Sequence, residues 1–137
     1  MYPDSPDSYL ELIRAIGRPA FAVHLDPINL INSPQRYFRQ RDLIKECFTK
    51  LGPYIRSCHA KDIILRDQMM VHLDEVRPGV GGFDYAFFLQ QLSALDRSIP
   101  LMLEHLTQPA EYRQAAAYIR STAQQAGIPL RAIPASN

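Results

Sequence analysis

Apolar residues recur at helical spacing in four stretches, and three short apolar runs that end on polar side chains lie between them. The first stretch opens with Ser5-Pro6, a capping residue followed by proline at the first helical position. Tyr9, Leu12, Ile13 and Ile16 then share one helical face, and Gly17 stops the helix. Ser33-Pro34 repeats this opening, with Tyr37, Phe38, Ile44, Cys47, Phe48 and Leu51 as the stripe of one long helix before Gly52-Pro53. A third helix is predicted from about Phe83 to Leu95, with Tyr85, Phe88, Leu89, Leu92 and Leu95 on one side. A fourth begins near Pro109 and carries Tyr112, Ala115, Ala116, Ile119 and Ala123 before Gly127. The apolar runs Ala20–Asp26, Tyr54–His59 and Pro100–Glu104 read as strands.

Strands that alternate with helices need crossover connections, and crossovers make a parallel sheet. Strand alternation then sorts the side chains. Ala20, Ala22, His24 and Asp26 fall on one face and Phe21, Val23 and Leu25 on the other. Ile55, Ser57 and His59 share a face in the second strand, as do Pro100, Met102 and Glu104 in the third. One face of the sheet is thus bulky and suited to helix packing. The other is smaller and becomes polar at the last residue of every strand. The longest connection is Ile63–Gly82, which contains a short strand near Val71–Val76 and then the glycine-rich Pro78–Gly82. Ala132–Asn137 is expected to fray.

Composition narrows the class without naming a function. The chain has 137 residues, 47% apolar and 21% charged, which suits one small packed domain. A net charge of +1 gives no global attraction to nucleic acid or anionic lipid. Arg36, Arg39 and Arg41 form the main basic cluster, and Asp42 and Glu46 beside them make it a solvated helix face. No apolar run is long enough to span a bilayer. Cys47 and Cys58 lack the spacing of a disulfide framework and read as buried, reduced thiols, so a cytoplasmic location is expected.

Ligand sites in parallel α/β folds form at the carboxyl ends of the strands, where Asp26, His59 and Glu104 stand. Each alone is commonly a cap, a loop hydrogen bonder or a satisfied partly buried residue. Together, at one depth on one face, they form a mixed oxygen and nitrogen set suited to Mn, Co, Mg or Zn as a divalent ion.

The segments VHLDPINLINSP, CHAKDIIL, EVRPGVGGFDYAFFLQQL and IPLMLEHL resemble successive blocks of the xylose isomerase-like TIM-barrel superfamily. That superfamily holds sugar and sugar-phosphate isomerases and epimerases and, more distantly, endonuclease IV-type repair nucleases. The resemblance implies one divalent ion held by Glu, Asp, His and Glu at four successive strand ends. Asp26, His59 and Glu104 match the last three of these. The first Glu would lie on a strand preceding the Ser5–Gly17 helix. Residues 1–137 therefore correspond to the C-terminal part of a (β/α)8 barrel, its last three β/α units plus the preceding helix, and such a part is expected to be inactive by itself. An intact barrel has about 250 residues.

The implied chemistry is aldose–ketose isomerisation or epimerisation through an enediolate, on a small carbohydrate or sugar phosphate, with Glu104 as one of two catalytic proton-transfer carboxylates. Lys61, two residues after His59, is a candidate for a substrate oxygen, against the plainer reading of an exposed loop lysine. Asn29 stands where several epimerases of the superfamily carry a substrate-binding His. Asp62 is read as a structural turn former in preference to a group that orients Lys61, His24 as a buried hydrogen bonder, and His105 as facing away from Glu104, with support of the site's ligands and plain packing both open. His72 is expected in a loop. Glu75, rather than Arg77, occupies the region where epimerases place an Arg. The Pro78–Gly82 loop offers backbone N–H groups to a phosphate, or is simply a tight turn. Two rival readings are a repair nuclease of the same fold and a non-catalytic partial barrel that associates with another chain or with its own copy.

Overall fold

The computed structural model describes residues 2–95 and 98–131, so the expected fraying of Ala132–Asn137 lies outside the described residues. Helix α1 spans Pro6–Ile16, with Ser5 and Ser8 forming a reciprocal capping box. Strand β1 is Val23–Leu25, followed by a 3-10 turn over Pro27–Leu30. Where the periodicity predicts one helix after Ser33, two form: α2, Pro34–Phe38, and α3, Gln40–Leu51. Arg39 breaks the run with φ −109° and ψ 29°. At that break Gln40 donates to the carbonyls of Tyr37 and Gly82 and accepts from Asp84 N, tying the helix start to a distant loop.

Strand β2 is Ile55–Ala60, α4 is Tyr85–Ser93, β5 is Leu101–Leu103 and α5 is Pro109–Gln125. Strands β1, β2 and β5 form a parallel sheet in that order. The residues between β2 and α4 are more regular than the sequence suggests. Asp62–Leu65 is strand β3 and Leu73–Val76 is strand β4, and the two pair as an antiparallel hairpin with Ile63 opposite Glu75.

The predicted alternation holds through most of the sheet and fails at one place. Val23 pairs with Ile55, but His24 pairs with Ser57, so Arg56 is an extra residue in β2. Ile55 therefore faces the helices with Cys58 and Ala60 rather than sharing a face with Ser57 and His59, and it is fully buried. Val23, Leu25, Ile55, Cys58 and Ala60 form the helix-facing side of the sheet. They belong to one core with Ile44, Cys47, Phe48 and Leu51 of α3 and Phe88, Leu89 and Leu92 of α4. Each fully buried Leu or Phe in that layer contributes roughly 2 kcal/mol of hydrophobic stabilisation. This layer fixes the sheet, and so fixes where its polar strand ends stand.

Candidate metal and substrate site

The strand register brings the polar residues to a common level. Leu25 lies opposite Cys58, which sets the next residue, Asp26, beside His59. Leu103 lies opposite Ala60, which sets Glu104 beside Lys61. Asp26 divides its carboxylate between two tasks. Oδ1 accepts from the N–H groups of Ile28 and Asn29 and caps the 3-10 turn. Oδ2 turns to the strand ends, where His59 Nδ1 lies 3.5 Å away. His59 Nδ1 is also 2.9 Å from Glu104 Oε1. One ligand-type atom from each of Asp26, His59 and Glu104 falls within 4.8 Å of the others.

Lys61 is not an exposed loop residue. Its side chain is only 3% exposed, and its ammonium lies 2.5 Å from Glu104 Oε1, 3.1 Å from Asp26 Oδ2 and 3.3 Å from Glu75 Oε2. The physical reason is that alternation continues past His59. Ala60 turns to the core, Lys61 returns to the site and Asp62 turns away again. Tyr85, buried, fixes this arrangement by donating its hydroxyl to the Lys61 carbonyl at 2.6 Å.

Burial by itself would lower the Lys61 pKa, but its contacts with Glu104 and Asp26 hold it above the ordinary lysine value. Burial would raise Glu104, yet the hydrogen bond and charge of Lys61, with His59 and His105 nearby, hold it below the usual carboxylate range. Glu104 is thereby kept ionised. Asp26 Oδ2 is buried, with the Lys61 ammonium 3.1 Å away as its nearest cation. A buried carboxylate oxygen, an imidazole nitrogen and a second carboxylate oxygen this close together are a donor set that fits a divalent cation.

Two residues join the site that the sequence reading leaves out of it. Glu75 reaches Lys61 from β4, because the hairpin folds back over the end of β2. His105 Nδ1 lies 2.9 Å from Glu75 Oε1, and His105 Nε2 lies 3.7 Å from Glu104 Oε1. His105 was expected to face away, but β5 ends at Leu103 and His105 has φ 58°, so strand alternation no longer governs it. The apolar run Ile63–Leu65 followed by the short strand expected near Val71–Val76 is the signal that could have placed Glu75, since two strands with a short polar connection read as a hairpin.

The remaining candidates sit around this centre. Asn29 is exposed on the turn after Asp26, and its backbone N–H is what engages Asp26. His24 is exposed rather than buried, hydrogen-bonded to Ser57 Oγ, with its ring edge-on to His59 at 3.8 Å between centroids. Partial desolvation and the neighbouring His59 lower its pKa. His72 lies in the loop before β4. Arg77 donates to the Pro78 carbonyl.

Asp62 is structural, as read from the sequence. It is fully buried and accepts from the N–H groups of Ile63 and Phe83 through Oδ1 and of Gly79 and Gly81 through Oδ2, at 2.8–3.1 Å. A Cβ on Gly81 would collide with this carboxylate, and one on Gly79, at φ 91°, would come within 2.7 Å of Tyr118 Cγ. The glycines are there so that the loop can close on Asp62.

Parallel strands with an Asp, a His and a Glu at their carboxyl ends, each followed by a helix on the outer face, define a β/α-barrel protein with its polar centre at the strand ends. The chain belongs to the xylose isomerase-like TIM barrel family, which it matches over residues 1–122. The crystal structure of a xylose isomerase domain protein from Planctomyces limnophilus is similar, with a TM-score of 0.68 and 21% identity. The match covers 90% of this chain and 45% of that one, so this chain spans less than half the length of that protein. No curated protein matches the sequence. Among the described residues no helix is long and apolar enough to cross a membrane.

Proposed function

We propose that residues 1–137 are the C-terminal part of a divalent-metal-dependent sugar or sugar-phosphate isomerase or epimerase. The observation that carries this reading is the convergence of Asp26 Oδ2, His59 Nδ1 and Glu104 Oε1 at the strand ends, with Asp26 buried. These three residues would hold the ion. Bound there, Mn, Co, Mg or Zn would supply Lewis acidity toward the carbonyl and hydroxyl oxygens of the sugar.

The protein's own groups do the rest. Glu104, kept ionised by Lys61, is in the state needed to take a proton from the carbon next to a carbonyl, leaving an enediolate. Lys61 holds Glu104 in place, and Asn29, exposed at the rim, is the polar contact offered to a substrate oxygen. A second proton-transfer carboxylate would come from the rest of the barrel. The buried free thiols Cys47 and Cys58 suit a reducing, cytoplasmic setting.

Calorimetric titration of the 137-residue chain with Mn²⁺ tests this. Asp26→Ala, His59→Ala and Glu104→Ala should each weaken binding at least about tenfold, the factor given by about 1.4 kcal/mol. Unchanged affinity in all three variants would remove the metal site.

A further inference from the structure

The three parallel strands start at the end of the sheet opposite Asp26, His59 and Glu104. There the turn from α1 to β1 and the turn from α3 to β2 enclose a cleft of about 310 Å³. Ile13, Phe21, Pro53 and Tyr54 supply its apolar walls, and Arg18 and Arg56 supply its charge.

Both turns hold a fixed shape. Gly17, at φ 57°, turns the chain out of α1, and the Phe21 N–H donates to the Arg18 carbonyl at 2.9 Å. Pro53 lies inside the 3-10 turn Gly52–Tyr54, where its ring fixes the backbone. Arg56 is the extra residue of the β2 bulge, and a bulge re-aims the side chain it releases from the ladder. Its Nη1 donates to the carbonyls of Pro53 and Ile55 at 2.9 and 3.0 Å. The guanidinium is thereby tethered beside the cleft, and among the described residues its Nε and Nη2 have no partner.

The positive charge here is uncompensated. A second cleft, beside the start of α3, is lined by Arg39 and Arg41 together with Asp42 and Asp84, and both arginines are ion-paired there. Among the described residues, no carboxylate lines the cleft at the strand starts, and Arg18 has no ion pair. Two like charges beside apolar walls favour a ligand that brings one anionic group and an apolar body. The guanidinium fork matches a carboxylate in particular. The volume lies at the small end of ligand pockets, which suits one ring on a short acid arm and is too small for a nucleotide.

We propose that this cleft binds a small carboxylate carrying a single apolar ring, an acid of the arylacetate class. The site is separate from the strand-end centre and does not rest on the metal reading. Arg18 and Arg56 pair with the carboxylate, and Ile13, Phe21 and Tyr54 cover the ring.

Amide NMR of the full 137-residue chain tests this, with titrations of phenylacetate, its neutral amide phenylacetamide, and inorganic phosphate. Phenylacetate should shift the Phe21, Tyr54 and Arg56 amides and bind about tenfold or more tightly than phenylacetamide. Phosphate should not displace it, because phosphate gains nothing from the apolar walls. Arg18→Gln and Arg56→Gln should each weaken phenylacetate binding at least about fivefold and leave phenylacetamide binding unchanged. Both side chains are exposed, so the fold should survive either change, and the dispersion of the amide spectrum checks it. Equal binding of acid and amide, or displacement by phosphate at equal concentration, overturns the proposal. So does the absence of a saturable shift, or a shift confined to the strand ends that carry Asp26, His59 and Glu104. Unchanged phenylacetate affinity in both variants removes the two guanidinium groups from the site and overturns it as well.

Discussion

Lys61 Nζ lies 2.5 Å from Glu104 Oε1 in a side chain that is 3% exposed, so the cation nearest the proposed metal ligands is one of the protein's own groups. Removing it leaves Asp26, Glu75 and Glu104 facing one another with no ammonium between them. Lys61→Met should therefore lower stability by about 3 kcal/mol, as breaking a buried ion pair does. Mn²⁺ should restore more stability to Lys61→Met than it adds to the unaltered protein, because it then supplies the missing charge. Urea denaturation with and without Mn²⁺ measures both effects. An equal Mn²⁺ gain in the two proteins would show that ion and ammonium do not share the cluster. The acid side has a defined sign. Glu104 has a depressed folded pKa, so its contribution is present above the ordinary carboxylate value and is lost as pH falls through the depressed one.

Glu75 touches Lys61 and His105 but is not one of the three converging ligand residues. Glu75→Gln should change Mn²⁺ affinity by less than about threefold, against tenfold or more for Asp26→Ala. Calorimetry on the two variants under one buffer decides the point. A loss in Glu75→Gln as large as in Asp26→Ala would make Glu75 a ligand.

Asp62 accepts four backbone N–H groups at zero exposure. Asp62→Asn keeps the shape but turns an amide NH₂ toward donors that need an acceptor. The expected loss is about 3 kcal/mol, from buried donors left unpaired. Chemical denaturation reads it as a lower midpoint at unchanged slope. A midpoint within error of the unaltered protein would show that the glycine loop closes without the carboxylate.

Cys47 and Cys58 are both fully buried, and burial pushes each thiol up to about 12. The folded protein therefore holds these protons between the ordinary thiol value of 9.0 and about 12, while the unfolded chain releases them. Stability should fall as pH rises through that interval, by up to about 1.4 kcal/mol per pH unit for each thiol. Cys58→Ala should flatten the fall, as measured by denaturant midpoints from pH 8.5 to 10.5. The same burial predicts that a thiol reagent at pH 8 reacts only as fast as the protein opens.

The sequence by itself determined the helices apart from the break at Arg39, the three parallel strands and the presence of Asp26, His59 and Glu104 at the strand ends. Those features are written in local periodicity and punctuation: Pro after Ser at a helix start, Gly at a helix end, and an apolar run closed by a polar side chain. Tertiary structure decided what local periodicity does not encode. The bulge at Arg56 moved Ile55 to the core, because register depends on the partner strand rather than on β2 alone. Pairing of β3 with β4 carried Glu75 to Lys61, across a turn whose length the residues do not announce. The left-handed backbone at His105 turned that imidazole toward Glu75 when alternation would have sent it away. Lys61 was the intermediate case: alternation two residues past His59 already implied its direction, but only the assembled strand ends showed that three carboxylates were waiting there.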